Sequence, residues 1–153
     1  MTFSIKFVVV FCAISIIGCN DGGQQSATPP PQTLYSKIGG YEKMQKIVSD
    51  FVNTVVENPA LQEHFYNMKS NPGSKEHFKF MLTEQFSALA GGPVRYSGMD
   101  MKSAHKGMDI TDEQYNAMIQ DLVSTLNKYS IAKEEHQQFI NTINDMRTDV
   151  VGQ

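Results

Sequence analysis

A single imidazole stands among methionines in the stretch Tyr96-Ser-Gly98-Met-Asp-Met101-Lys-Ser-Ala-His105-Lys-Gly-Met108. Met101, Ala104, His105 and Met108 fall at i, i+3, i+4 and i+7, so a helix brings all four onto one face. That face is apolar and sulfur-rich, with the histidine in its middle. A buried histidine needs partners for its ring nitrogens, because an unsatisfied buried polar group costs about 1–3 kcal/mol. Two kinds of partner fit the pattern. One is a neighbouring polar group in an ordinary core. The other is haem iron, which takes neutral imidazole as a ligand and whose porphyrin suits a methionine-flanked apolar surface.

The elements that must carry this histidine read as helices from residue 34 onward, with no persuasive strand. Residues 41–57 hold Met44, Ile47, Val48, Phe51, Val52 and Val55 in one apolar stripe. Asn58-Pro59 predicts a cap followed by proline in the first helical position, opening a short helix to about residue 66. Asn71-Pro72-Gly73 reads as a loop, followed by a helix over 75–90 with Phe78, Leu82, Phe86 and Leu89 on one face. Met81, Gln85 and Ala88 lie on the adjacent strip. Thr111-Asp-Glu-Gln114 is a capping box that starts a helix with Tyr115, Met118, Leu122 and Leu126 turned to the core. A last helix over 133–150 repeats the pattern with Phe139, Ile143, Met146 and Val150. Gly39-Gly40 and Gly91-Gly92 permit sharp corners between these helices.

Taken together, Leu34-Tyr-Ser-Lys-Ile-Gly39-Gly40, the Gly91-Gly92-Pro93 corner, Tyr96 with Gly98, and Met101-Lys-x-Ala-His105 resemble the group I truncated haemoglobins. The resemblance covers roughly residues 34–151, nearly all of the chain beyond its first segment. It implies an all-α fold, a two-over-two helical sandwich around a haem. His105 matches the proximal histidine that ligates the iron, and Met101 and Met108 would pack against the porphyrin. On the other side the resemblance places Phe51, Val52, Phe65, Phe78, Met81, Leu82 and Gln85 around the cofactor.

This distal set departs from the family pattern. Many members carry a Phe-Tyr pair whose hydroxyl holds oxygen at the iron, and the matching pair here is Phe51-Val52. A glutamine common in the family aligns with Leu82, and Phe78 stands one turn earlier. A hydrogen bond to a charged group is worth about 1.5–3 kcal/mol, so its loss weakens oxygen retention roughly 10- to 150-fold. Gln85 either points inward as a substitute donor or lies between helices. Met81 falls where some relatives place a second protein ligand; it either caps the haem edge or completes His/Met ligation, which raises the reduction potential. His77 would serve only on a rotated helix, and His64 and His136 sit among polar neighbours that predict solvation. Lys79 or Lys102 could pair with a propionate.

The expected function is binding of a diatomic ligand (oxygen, nitric oxide or carbon monoxide), with a His/Met-ligated electron carrier as the alternative. Nitric oxide dioxygenation needs retained oxygen and a reductase, and peroxidase chemistry benefits from a distal acid–base group that the aligned positions lack. A redox partner is implied by electron transfer, without its identity. The net charge of −3, with no basic run, gives no argument for nucleic acid.

The first residues read as an address. Lys6 precedes the apolar run 7–17, which is too short to span a bilayer and right for a signal sequence. It closes at Ile16-Ile17-Gly18-Cys19, which resembles a bacterial lipoprotein cleavage box, so Cys19 is expected to carry lipid. Residues 1–18 are then a signal peptide, 19–33 a lipidated cysteine with a Gly, Gln, Ser and Pro-rich tether, and 34–153 the globin domain. The expected location is the bacterial cell envelope, lipid-anchored. Cys12 and Cys19 are the only cysteines and no C-x-x-C-H motif occurs, so the haem is expected to be non-covalent b-type.

Overall fold

The computed structural model describes residues 32–153. The segment 1–18, the lipid site at Cys19 and most of the tether lie outside the described residues. Seven α-helices follow in order: α1 Leu34–Ile38, α2 Gly40–Glu57, α3 Gln62–Ser70, α4 Pro72–Leu89, α5 Met101–His105, α6 Asp112–Leu126 and α7 Lys133–Asn144. Short 3-10 turns at Pro59–Leu61 and Arg147–Asp149 complete the set, and no strand occurs among the described residues. None of these helices is long and apolar enough to cross a membrane.

α2 is the central helix. Its stripe of Met44, Ile47, Val48, Phe51, Val52 and Val55 is buried, and it packs against both α4 and α6. Phe51 meets Phe86 of α4 with ring centroids 6.1 Å apart, and Phe86 meets Phe139 of α7 edge-on at 5.2 Å. One aromatic column therefore ties both layers of the sandwich together. α1 closes the bundle from the side: the Tyr35 N–H donates to the Ala90 carbonyl at 2.7 Å.

The corner after α4 explains its glycines. Gly91 has φ +79°, and a Cβ on Gly92 would lie 2.7 Å from the Tyr35 ring and 2.8 Å from the Ser87 carbonyl. Only glycine admits both the left-handed turn and the approach of α1.

Three boundaries differ from the sequence expectation. Asn71-Pro72 is not a loop but the start of α4: the Asn71 side chain accepts from the Ser74 N–H at 3.2 Å, and Pro72 takes the first helical position. The short helix after Pro59 splits, because Asn58 caps a 3-10 turn through the Ala60 N–H at 3.0 Å before α3 begins. α7 ends at Asn144, where the chain tightens to three-residue hydrogen bonds such as Met146 N–H to the Ile143 carbonyl at 3.1 Å. Thr111 and Gln114 form the expected capping box at α6.

Tyr129, just past α6, donates its hydroxyl to Asp50 Oδ2 at 2.9 Å and so pins that corner to α2. Burial, then the hydrogen bond to Asp50 and its charge, push the phenol from 10.0 up to about 12. A phenol raised in the folded state contributes stability that is fully present below its ordinary value and is lost as pH rises through the raised one. Ultraviolet titration should find Tyr129 still protonated past pH 10.0 and ionising near 12. Asp50→Asn should bring it back toward the ordinary range; an unchanged titration would contradict the bridge.

Candidate functional site

α5 presents the histidine as its spacing predicts. Met101, Ala104 and His105 are half-buried while Lys102, Ser103, Lys106 and Gly107 are exposed. The helix is one and a half turns long, started by Asp100, whose side chain accepts from the Ser103 N–H at 2.9 Å. Met108 lies beyond its end and reaches the same wall from the loop.

The His105 ring is oriented by its own helix: Nδ1 lies 2.7 Å from the Met101 carbonyl oxygen. A carbonyl can only accept, so Nδ1 carries the proton and Nε2 of the neutral ring carries a free lone pair. This is the arrangement a metal-ligating imidazole needs, with the second nitrogen fixed by a carbonyl.

His105 borders an apolar cavity of about 590 Å³. Phe51, Phe65, Phe78, Met81, Leu82, Gln85, Met101 and Met108 all line it. Its size falls in the usual range for small-molecule sites, about 300–1,000 Å³. Among the described residues no three His, Cys, Asp or Glu side chains cluster as a metal site. A metal held by one imidazole must bring its remaining ligands with it. An apolar cavity bordered by an imidazole whose Nε2 is free meets the requirements of haem.

Val52 is the exception among the expected contacts. It is 0 % exposed and belongs to the core cluster, and it does not line the cavity. The cavity face of α2 is Phe51 and Val55, four residues apart, and Val52 is turned about 100° from Phe51.

Gln85 does point inward, but toward sulfur. Its Nε2 donates to Met101 Sδ at 2.7 Å and approaches Met146 Sδ at 3.9 Å. It therefore braces the helix that carries His105. Phe65 stacks obliquely on Phe78, centroids 5.8 Å apart, and the two rings close another part of the wall.

His64 corrects the sequence reading. Its side chain is only 11 % exposed and lines the cavity. Its Nε2 is shut off from water without a hydrogen-bond partner, with Glu63 Oε1 3.5 Å away. Polar neighbours in sequence mislead here, because α3 turns Glu63 outward to Gln114 while His64 faces in. His77 reaches the cavity from an exposed position, and His136 is half-buried on α7 away from it. Lys79 is occupied by Glu76 at 2.8 Å, and Lys102 is exposed.

Sequence reasoning also missed the floor and rim. Tyr115, Met118, Ile143, Met146 and Val150 line the cavity from α6, α7 and the segment after it. Their signal was present as core periodicity, which does not distinguish a packed wall from a ligand-facing one. Tyr115 donates its hydroxyl to the Ile143 carbonyl at 2.8 Å, so it adds a ring but no free donor. At the rim the Tyr96 ring lies where a Cβ on Gly98 would stand, which is why glycine follows two residues later. Burial, and then the charge of Glu84, raise the Tyr96 phenol above its ordinary value.

An all-helical two-over-two sandwich whose apolar cavity is bordered by a carbonyl-fixed histidine defines a globin of the truncated class. The chain belongs to the bacterial-like globin family, which it matches over residues 33–152. It is 30% identical over 122 residues to a group 1 truncated haemoglobin of Tetrahymena pyriformis, covering 80% of this chain and 97% of that protein. A group 1 truncated haemoglobin of Mycolicibacterium paratuberculosis is 26% identical over 78% of this chain and 85% of its own. The crystal structure of the T. pyriformis truncated haemoglobin in the Fe(III) form superposes with a TM-score of 0.73, at 29% identity over 80% of this chain and all of that one. A 2/2 haemoglobin from Synechococcus, in the cyanomet state and with covalently attached haem, shares the fold at TM-score 0.69 and 22% identity, over 80% of this chain and 100% of that one. Membership implies haem, and the cavity fits it.

If His105 is the iron ligand, His105→Gly should abolish stoichiometric haem uptake and free imidazole should restore it. Uptake by the glycine variant without imidazole would show that another group holds the iron.

Proposed function

We propose that this protein carries a non-covalent b-type haem and binds a diatomic gas at its iron, with carbon monoxide or nitric oxide held better than oxygen. The observation that carries this reading is the wall contributed by α2 and α4. Phe51, Val55, Phe78, Met81 and Leu82 offer no hydrogen-bond donor, Gln85 is turned to the sulfurs of Met101 and Met146, and the imidazoles of His64 and His77 are the remaining polar groups of these walls and of α3. Oxygen depends on such a donor more than the other two gases do. Haem, when bound, supplies the iron; His105 supplies the imidazole, and the apolar wall limits water around the ligand site.

Non-covalent attachment is supported by cysteine use: neither Cys12 nor Cys19 falls in residues 32–153, and no C-x-x-C-H motif exists. The covalent haem of the Synechococcus protein is a property of that chain.

Met81 supports a second reading. It lines the cavity, and a thioether at the sixth position would close the iron and make the protein an electron carrier. Its redox partner would lie in the same envelope compartment.

One experiment separates the two. A five-coordinate ferrous protein that takes up carbon monoxide rapidly supports gas binding. A low-spin protein that binds it only after Met81→Leu supports the carrier and overturns gas binding. In the first case Leu82→Gln should slow oxygen dissociation about 10- to 150-fold by supplying the missing donor. An unchanged rate would mean that position 82 does not face the ligand.

The envelope anchor belongs to the same proposal. The apolar run 7–17 ending in Gly18-Cys19, followed by a Pro-rich segment, supports a lipid anchor of the bacterial cell envelope. Cys19→Ser should abolish fatty-acid labelling and move the protein from the detergent phase to the aqueous phase. Equal labelling of both forms would remove the anchor from the account.

A further inference from the structure

α5 is five residues long, and hydrogen bonds anchor the chain at both of its ends. At its start stand the Asp100 cap and the Gln85 amide on Met101 sulfur. Past its end, the N–H groups of Gly107 and Asp109 both donate to the main-chain oxygen of Gln153, at 3.0 and 3.1 Å. The Gly152 N–H donates back to the Ile110 carbonyl at 3.0 Å. Residues 107–110 and 152–153 thus share three backbone hydrogen bonds.

The backbone of this loop is shaped for that contact. Gly107 has φ +78° and Asp109 has φ +48°, the one positive value at a non-glycine among the described residues. Such a conformation persists where the surroundings determine it. Two amides, two residues apart, converge on one main-chain oxygen, while Met108 between them lines the cavity, as does Ile110. The Met108 N–H donates to the His105 carbonyl at 3.0 Å, so the loop and the end of α5 are directly joined. The other side of the contact is also fixed. Gln153 Nε2 donates to the Thr148 and Val151 carbonyls at 3.0 and 3.2 Å. Arg147 lies over the Tyr115 ring, 4.9 Å from its centroid, and bonds to Asn116 at 2.9 Å.

We propose that residues 152–153 form a strap that positions His105 by fixing the loop immediately after α5, so that proximal geometry is set by backbone groups more than forty residues away in sequence. His105 is the only reactive group involved, and Gly152 and Gln153 are positioning residues. The inference rests on His105 being the iron ligand.

Three variants of the full chain test it. Deleting residues 152–153 removes all three bonds. Gly152→Pro removes the N–H and cannot adopt the φ of +68° found there. Gln153→Ala keeps the accepting main-chain oxygen. The first two should speed amide exchange at Gly107 and Asp109, shift and broaden the ferrous iron–histidine Raman band, and raise haem transfer to apomyoglobin about tenfold, equivalent to 1.4 kcal/mol. Gln153→Ala should match the unaltered protein in all three. The strap is overturned if the deletion leaves the Raman band and exchange unchanged, or if Gln153→Ala acts as strongly as the deletion. Amide exchange reads the strap without haem and His105→Gly reads the iron ligand separately, so accelerated exchange with an unchanged Raman band in a protein ligated by His105 also overturns the strap.

Discussion

The constraint on which this molecule depends is an apolar cavity of about 590 Å³ kept inside a domain of 122 described residues. Unfilled apolar volume costs roughly 24 cal/mol per Å³. Even with its rim open to solvent, an apolar space of this size is costly to leave unfilled. Such a cavity is tenable as the seat of an apolar occupant and not as a packing defect. The helices are arranged accordingly. α2 supplies the continuous core, and the aromatic column Phe51–Phe86–Phe139 joins the layers beside the cavity.

Polarity inside the cavity is rationed by local partners. Gln85 is turned to Met101, Tyr115 to the Ile143 carbonyl, and Gln114 to the Thr111 backbone. His105 gives one nitrogen to the Met101 carbonyl and keeps the other. His64 is the exception, lining the cavity with its Nε2 unpartnered. The proposed preference among gases follows from Phe51, Val55, Phe78, Met81 and Leu82, which present shape without a donor.

How much of this was legible in the sequence depended on whether the signal was local. Met101, Ala104 and His105 share one face of α5 as their helix period predicts, and the capping box at Thr111 is a three-residue pattern that forms as expected, but the helix stops at His105, so Met108 joins the same wall from the loop. Asn71-Pro72 misread as a loop because the same cap-and-proline signature was taken for a break. Val52 entered the site by correspondence with a family pair, whereas helix rotation turns it into the core. His64 was placed in water by its charged neighbours, but burial is set by how α3 docks and not by the adjacent residues. The contact of Gly152 and Gln153 with the loop after α5 left no trace at all, since backbone hydrogen bonds are blind to side-chain identity.

The most direct test of the account is a haem titration of the purified protein followed by its Soret absorbance. The account predicts a sharp break at one haem per chain, with the unfolding temperature rising as the site fills, because a ligand that binds only the folded state stabilises it by about 2.7 kcal/mol at a hundredfold excess over Kd. A featureless, non-saturating rise with no change in unfolding temperature would mean that the cavity does not hold haem.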